Sequence, residues 1–208
     1  MKPMLSIIIV GINGWEEYTR PLINGIWAHH PDVELCVIDN ASEKPYPDAP
    51  HIQRLDKRVS YAEAINYGID HTHRKWILSL NNDIRCNGAF LHLIDGLDED
   101  AIYSRQIITE QGHTWFGNWL CLVNRGTNWR IGGFDEKFEV CGFEDADYSM
   151  RAAELGIPTK PIELPFTHLW GKTRWDIPGY PATREKNIAY FESKHGWRPG
   201  ANMTVIHE

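Results

Sequence analysis

Residues 75–86 read KWILSLNNDIRC, a strand-forming apolar run that stops abruptly at Asn81, Asn82 and Asp83. Two readings of that stop compete. Asn and Asp tolerate left-handed backbone and bond their own main chain, so the cluster can be a turn that ends a strand. It can equally be a ligand site. Just upstream, Ser60-Tyr61-Ala62-Glu63 is a capping-box pattern, and Ala62, Ile65 and Ile69 share one face of the helix it starts. That helix leads into KWILSL. Further upstream, LSIIIVG (5–11) and ELCVIDN (34–40) are short β-rich runs. Between them Tyr18, Leu22, Ile23, Ile26 and Trp27 form a stripe at helical spacing. Nearly continuous apolar strands alternating with helices predict an α/β fold, a mostly parallel central sheet covered by helices on both faces.

In that context the opening motif is one of three. The first strand runs into Ile12-Asn13, the second into Asp39-Asn40, and the third into Asn81-Asn82-Asp83. A turn explains each end separately. Open α/β sheets, however, bind ligands at the carboxyl ends of their strands, so three polar ends together point to a shared polar site.

The second half predicts a loop entering a strand over residues 112–124, a short helical stretch and the turn Gly132-Gly133-Phe134. A capped helix follows in GFEDADYSMRAAELGIP, with Gly156 at its C-terminal cap, Pro158 beyond, and Ala146, Met150 and Ala153 on one apolar face. A strand near 159–164 and a helix near 182–195 complete the pass. Glu144, Asp145 and Asp147 fall in the first turn of the capped helix, where the dipole favours negative charge by about 0.3 to 1 kcal/mol each. Asp147 has Arg151 four residues on as a partner. Asp145 has only Ser149 at that spacing and follows a glycine-bearing turn, which makes it the best general-base candidate of the three. His168 lies in PFTHLWGKTRW, a segment too polar and interrupted for a core, with Lys172 and Arg174 close enough in sequence to meet phosphate oxygens.

Composition narrows the function classes. The chain has 208 residues, 42% of them hydrophobic and 24% charged, which suits an ordinary globular protein. A formal charge of −7 argues against a nucleic-acid-backbone binder. Cys36, Cys86, Cys121 and Cys141 are too scattered for a zinc site and read as free thiols. The longest apolar run, LSIIIVGI, is too short to span a bilayer and lacks signal-peptide flanks, so the sequence predicts a cytoplasmic protein, with a peripheral membrane role left open. No repeat or linker divides the chain, and one domain over 1–208 is expected.

Taken in order, the motifs resemble the GT-A-fold glycosyltransferases of the family 2 type, over roughly residues 4–170. The resemblance rests on SIIIVGIN, Ile38-Asp39-Asn40-Ala41-Ser42, the Ala-x-x-x-Asn-x-Gly-Ile helix ending at Ile69, Leu80-Asn81-Asn82-Asp83, GGFDEKF, FEDADYSMR and His168. It implies a Rossmann-like sheet with a nucleotide-sugar half over about 1–100 and an acceptor half over about 101–208. It implies a nucleoside-diphosphate sugar donor, UDP-linked for preference, bound among Asn13, Asp39, Asn40, Asn66, Asn81, Asn82 and Lys172, with Asp39 recognising the base. The family's Asp-x-Asp motif reads Asn81-Asn82-Asp83 here, which loses the first carboxylate and keeps the last. Divalent Mn²⁺ or Mg²⁺ would sit on Asp83 and His168, since hard cations often take only one or two protein carboxylates and complete their shell with phosphate and water. Glu144 and Asp145 match the acidic motif, whose aspartate is the base of an inverting transfer to a glycan hydroxyl.

Six of the nine tryptophans lie between Trp115 and Trp197. Trp115, Trp119, Trp170 and Trp175 are candidate sugar-stacking surfaces, with Trp115 preferred for the acceptor cleft and Trp119 assigned to the core. Two alternatives are carried. A sugar nucleotidyltransferase would show a glycine-rich basic loop after the first strand, where this chain has the acidic GINGWEEYTR. A nucleotide-sugar-binding protein without transferase activity is permitted by Asn81, although Asp145 and His168 argue against it.

Overall fold

The computed structural model describes residues 4–117, 119–169 and 180–207. The chain runs β1 (Leu5–Gly11), a π-helical turn (Trp15–Thr19), α1 (Arg20–His29), β2 (Glu34–Asp39), β3 (Ile52–Arg54), α2 (Tyr61–Asp70), β4 (Trp76–Asn81) and β5 (Ile84–Cys86). It continues through β6 (Ile102–Ser104), β7 (Ile107–Glu110), β8 (His113–Phe116), β9 (Leu120–Asn124), α3 (Arg125–Ile131), α4 (Glu144–Glu154), β10 (Thr159–Pro161), β11 (Phe166–His168), α5 (Tyr180–His195) and β12 (Thr204–His207).

Seven strands form the central sheet in the order β10-β6-β9-β4-β1-β2-β3. β9 runs antiparallel to both neighbours, and every other pairing is parallel. The mostly parallel α/β sheet read from the sequence is therefore present, with one reversed strand that the sequence did not announce. Successive side chains point to opposite faces of a strand, and β1 divides its residues accordingly. Leu5, Ile7 and Ile9 join Leu35, Val37, Leu78 and Leu80 beneath Leu22, Ile23 and Ile26 of α1. Ile8 and Val10 join Cys36, Ile38 and Ile77 beneath Ala62, Ile65 and Ile69 of α2 and Tyr148 and Ala152 of α4. Both faces being covered explains why β1 is buried at all seven positions.

Local chemistry sets the helix ends as expected. Ser60 Oγ accepts the Glu63 N–H at 3.1 Å and caps α2. Gly156 takes a left-handed φ of 73° just past α4, where any side chain would be strained. The apolar face of α4 differs from expectation. Ala153 is exposed, and Ala152 is buried in its place. The reason is that α4 is covered on two sides: Tyr148 and Ala152 pack on the central sheet, while Ala146 and Met150 meet Phe191 and Ile188 of α5.

Residues 113–116 are a strand rather than a loop. β8 pairs with β7, and β7 with β12, in a separate three-stranded sheet. That sheet is closed by a polar latch: the buried Glu110 carboxylate accepts the N–H groups of Gly200, Ala201 and Asn202 at 2.8, 2.9 and 2.7 Å. The antiparallel pair β5–β11 sets Ile84 opposite His168. No helix among the described residues is long and apolar enough to cross a membrane.

Candidate active site

Strands β1, β2 and β4 end on one edge of the sheet, and their polar residues turn out to build that edge as well as line it. Asn13, at φ 56°, donates its N–H to Ser42 Oγ at 2.7 Å and accepts the Glu43 N–H on Oδ1 at 2.9 Å. Its carbonyl accepts the Tyr46 hydroxyl at 2.7 Å. Asn82 is buried beneath this turn and donates to Thr19 Oγ1 at 3.1 Å. Asn40 clamps the Val59 backbone from both sides, donating to its carbonyl at 3.0 Å and accepting its N–H at 2.9 Å. Asn66 does the same for the GGFDE turn, with bonds of 2.9 and 3.0 Å to the Phe134 carbonyl and N–H.

Asp39 is fully buried. Oδ1 accepts the Ser42 N–H at 2.9 Å, and Oδ2 accepts the Tyr46 N–H at 3.1 Å and Arg54 Nη1 at 2.5 Å. Burial alone would raise its pKa, but the hydrogen bonds from Ser42, Tyr46 and Arg54 outweigh burial and hold it below the ordinary carboxylate value. Asp39 thus orders the loop after β2 from inside.

A cleft opens above this scaffold. Its walls include Asn40, Asn81 and Asn82 on the strand side and Glu144 and Asp145 at the start of α4. Of the three acids in that first turn, Glu144 and Asp147 are buried, and Asp145 is the partly exposed one. Glu144 accepts the Gly142 N–H. Asp147 accepts Arg151 Nε at 2.9 Å on one oxygen and meets Lys194 Nζ at 2.5 Å and His195 Nε2 at 2.8 Å on the other. The i,i+4 pairing expected of Asp147 and Arg151 is present, and α5 adds the Lys194 ammonium and the His195 imidazole to it.

The loop that delivers Glu144 and Asp145 is conformationally costly. Val140 and Phe143 have φ of 55° and 72°, a region in which a β-branched residue is a genuine outlier. Buried Asn187 of α5 holds this loop, accepting the Glu139 N–H at 2.9 Å and donating to the carbonyls of Glu139, Cys141 and Gly142 at 2.8, 3.2 and 3.1 Å. Sequence reading missed Asn187, because its partners lie some 45 residues away. It also missed Arg58 and Tyr61, which line the cleft. Burial first, then the Glu144 carboxylate, Cys121 and Asp145, hold the Tyr61 hydroxyl well above its ordinary pKa, so it stays a neutral hydroxyl beside two acids. The capping-box position of Tyr61 was a signal for a helix start, not for a cleft wall.

Asp83 follows Asn82 and is 1% exposed. Pairing of β5 with β11 brings His168 Nε2 to 3.2 Å from Asp83 Oδ1, and Leu169 donates its N–H to the Asp83 carbonyl at 2.9 Å. Among the described residues no group of three or more His, Cys, Asp or Glu side chains is arranged to hold a metal. A pair suffices for a cation that draws its other ligands from phosphate and water. Adjacent ligands on an octahedral ion with bonds of about 2.1 Å stand about 3 Å apart, so the Asp83–His168 spacing fits two neighbouring positions of one shell. Lys172, Arg174, Trp170 and Trp175 lie outside the described residues.

Trp115 is buried, packed with Phe138, Phe143 and Met150 and 6.0 Å from the Trp197 ring, so it is core and cannot line an acceptor cleft as expected. Its place on β8 explains the error, since that strand was read as a loop. Trp119 is core, as expected.

No protein-family model matches the sequence, and no curated protein matches it either. Solved structures do match in shape. One is GalNAc-T7 with UDP, GalNAc and Mn²⁺, at TM-score 0.75 and 11% identity, over 91% of this chain and 47% of that one. A second is the mannosyltransferase PcManGT from Pyrobaculum calidifontis in complex with GDP-Man and Mn²⁺, at TM-score 0.68 and 15% identity, over 96% of this chain and 66% of that one. A third is the catalytic domain of Drosophila beta1,4galactosyltransferase 7 in complex with xylobiose, at TM-score 0.57 and 14% identity, over 84% and 73% of the two chains. This chain spans about half the length of the GalNAc-T7 chain, 47%. At such identities the likeness defines the fold. It is the GT-A fold of glycosyltransferases, as the sequence motifs led one to expect.

Proposed function

We propose that this chain is a metal-dependent, inverting glycosyltransferase of the family 2 kind, which moves a sugar from a nucleoside-diphosphate sugar, UDP-linked for preference, to a glycan hydroxyl. The observation that carries the reading is the cleft in which Asn81 and Asn82, at the end of β4, share walls with the partly exposed Asp145. Structural neighbours named with UDP or GDP-Man and Mn²⁺ support the donor class.

In this mechanism the donor lies along the edge built by Asn13, Asp39, Asn40, Asn81 and Asn82, its base toward the loop that Asp39 orders. Asn66 serves the site through the GGFDE turn, and Lys172 completes the set of donor-binding candidates. Asp83 and His168 would hold a divalent cation, Mn²⁺ in preference to Mg²⁺ because of the imidazole, and the cation would stabilise charge on the departing diphosphate. Asp145 takes the proton of the acceptor hydroxyl as its oxygen attacks the anomeric carbon. The bond from that carbon to the diphosphate oxygen breaks, and the diphosphate leaves with the electron pair. Glu144, bonded to the Gly142 N–H, braces the turn before Asp145.

Calorimetric titration with UDP and GDP, each with and without Mn²⁺, tests the donor site. The expected result is UDP binding that requires metal and is lost in Asp83→Ala. Metal-independent binding, or none, would overturn the metal-dependent reading. A nucleotide-sugar-binding protein without activity remains the second reading, favoured by Asn81 in place of a carboxylate. Turnover of a UDP-sugar panel in the presence of glycan acceptors separates the two.

A further inference from the structure

Trp119 stands just before β9 and touches the metal-pair region in two ways. Its carbonyl accepts the Asn81 N–H at 3.2 Å, which ties it to the end of β4. Its indole lies parallel to the His168 imidazole, with planes 1° apart and ring centroids 5.2 Å apart. Offset parallel stacking of this kind fixes the plane of one ring against the other. The terminal torsion of a histidine side chain is broad and set by its surroundings, and a ring stacked on the imidazole is one restraint that sets it, beside the contact of Nε2 with Asp83. Pairing of β5 with β11 fixes only the His168 backbone. The indole, for its part, is 5% exposed and wedged in the same cluster as Leu80, Leu120, Leu164 and Phe166, so it is a rigid surface to stack on.

We propose that Trp119 is a positioning residue: by stacking on His168 it holds the imidazole so that Nε2 faces Asp83 and the two side chains can take a divalent cation together. The proposal rests on the reading of Asp83 and His168 as the metal pair. It gives Trp119 a task beyond filling the core, and Trp119 touches no substrate in carrying it out. Groups around a metal ligand that fix its orientation typically change metal affinity by about 10- to 100-fold.

Free Mn²⁺ measured by electron paramagnetic resonance in the presence of UDP tests this without any turnover, using the full chain and the variants W119F, W119L and H168A. The expected pattern is retention of Mn²⁺ affinity within about threefold in W119F, which keeps a flat ring, and a loss of about tenfold or more in W119L. H168A should lose at least as much as W119L. Denaturation midpoints of W119F and W119L are recorded alongside, and W119M replaces W119L if the latter does not fold. Equal losses in W119F and W119L, or no loss in either while H168A loses affinity, would show that Trp119 only packs, and would overturn the proposal. Mn²⁺ binding that H168A leaves unchanged would remove the premise and the proposal with it, while the donor site stood. A wild-type protein that binds neither UDP nor Mn²⁺ would bring down the functional reading itself.

Discussion

At the scale of single residues, three acids in one helical turn were given different roles by their partners. Asp147 pairs with Arg151 and Lys194 and bonds the His195 imidazole, Glu144 is buried and bonded to the Gly142 N–H, and Asp145 is the partly exposed acid of the cleft wall. Asp145→Asn keeps the size and hydrogen-bonding reach of the side chain and removes its ability to take a proton. Transfer is expected to fall by at least about 100-fold, the ordinary contribution of general-base catalysis, with UDP affinity unchanged. Calorimetry beside a turnover assay checks it: collapse of UDP binding would make Asp145 a donor-binding residue. The spacing rule that paired Asp147 with Arg151 was visible in the sequence. The burial of Asp39 was not, because a strand-terminal aspartate looks the same whether it faces a ligand or its own loop.

At the scale of elements, α4 and the loop before it are positioned by α5. Asn187 makes four hydrogen bonds to residues 139–142, where Val140 sits at φ 55°. Strained backbone persists only when its surroundings over-determine it. Asn187→Ala removes all four bonds, which are only partly buried, so the cost is about 1–3 kcal/mol only for a group that neither water nor another partner then satisfies. Faster amide exchange is expected across 139–143, together with reduced transfer and preserved UDP binding. Unchanged exchange in that loop would show that the strain is held by something else. The sequence foretold the existence of α5 but not its role, since its partners are brought to it by the whole fold. The strands β5, β7, β8, β11 and β12 were likewise hidden: three or four residues carry too little periodicity to be read alone.

At the scale of the whole molecule, paired carboxylates tie stability to pH. Burial opposes ionisation of Asp135, but hydrogen bonds from Lys194, the Lys137 N–H and Tyr190 win and lower its pKa from 3.8 to about 2. Asp39 shifts in the same direction. A carboxylate whose folded pKa lies below its unfolded value adds stability that is fully present above about pH 4 and is lost as pH falls toward the folded pKa. Urea midpoints measured from pH 6 to pH 2 are therefore expected to drop below pH 4, and the drop should be shallower in Asp135→Asn. A parallel drop in that variant would show that Asp135 has no part in it. The alternation of Leu5, Ile7 and Ile9 with Ile8 and Val10, the Ser60 cap and the Gly156 stop belong to the sequence alone, since local sterics, hydrogen bonding and burial periodicity act within a few residues. From them followed a helix-covered, mostly parallel sheet and the polar ends of β1, β2 and β4. Tertiary structure decided the reversal of β9, the burial of Trp115, the saturation of Asp39, and the meeting of His168 with Asp83 and Trp119. Those are contacts between residues far apart in the chain, and only the packing of the complete core brings them within reach of one another.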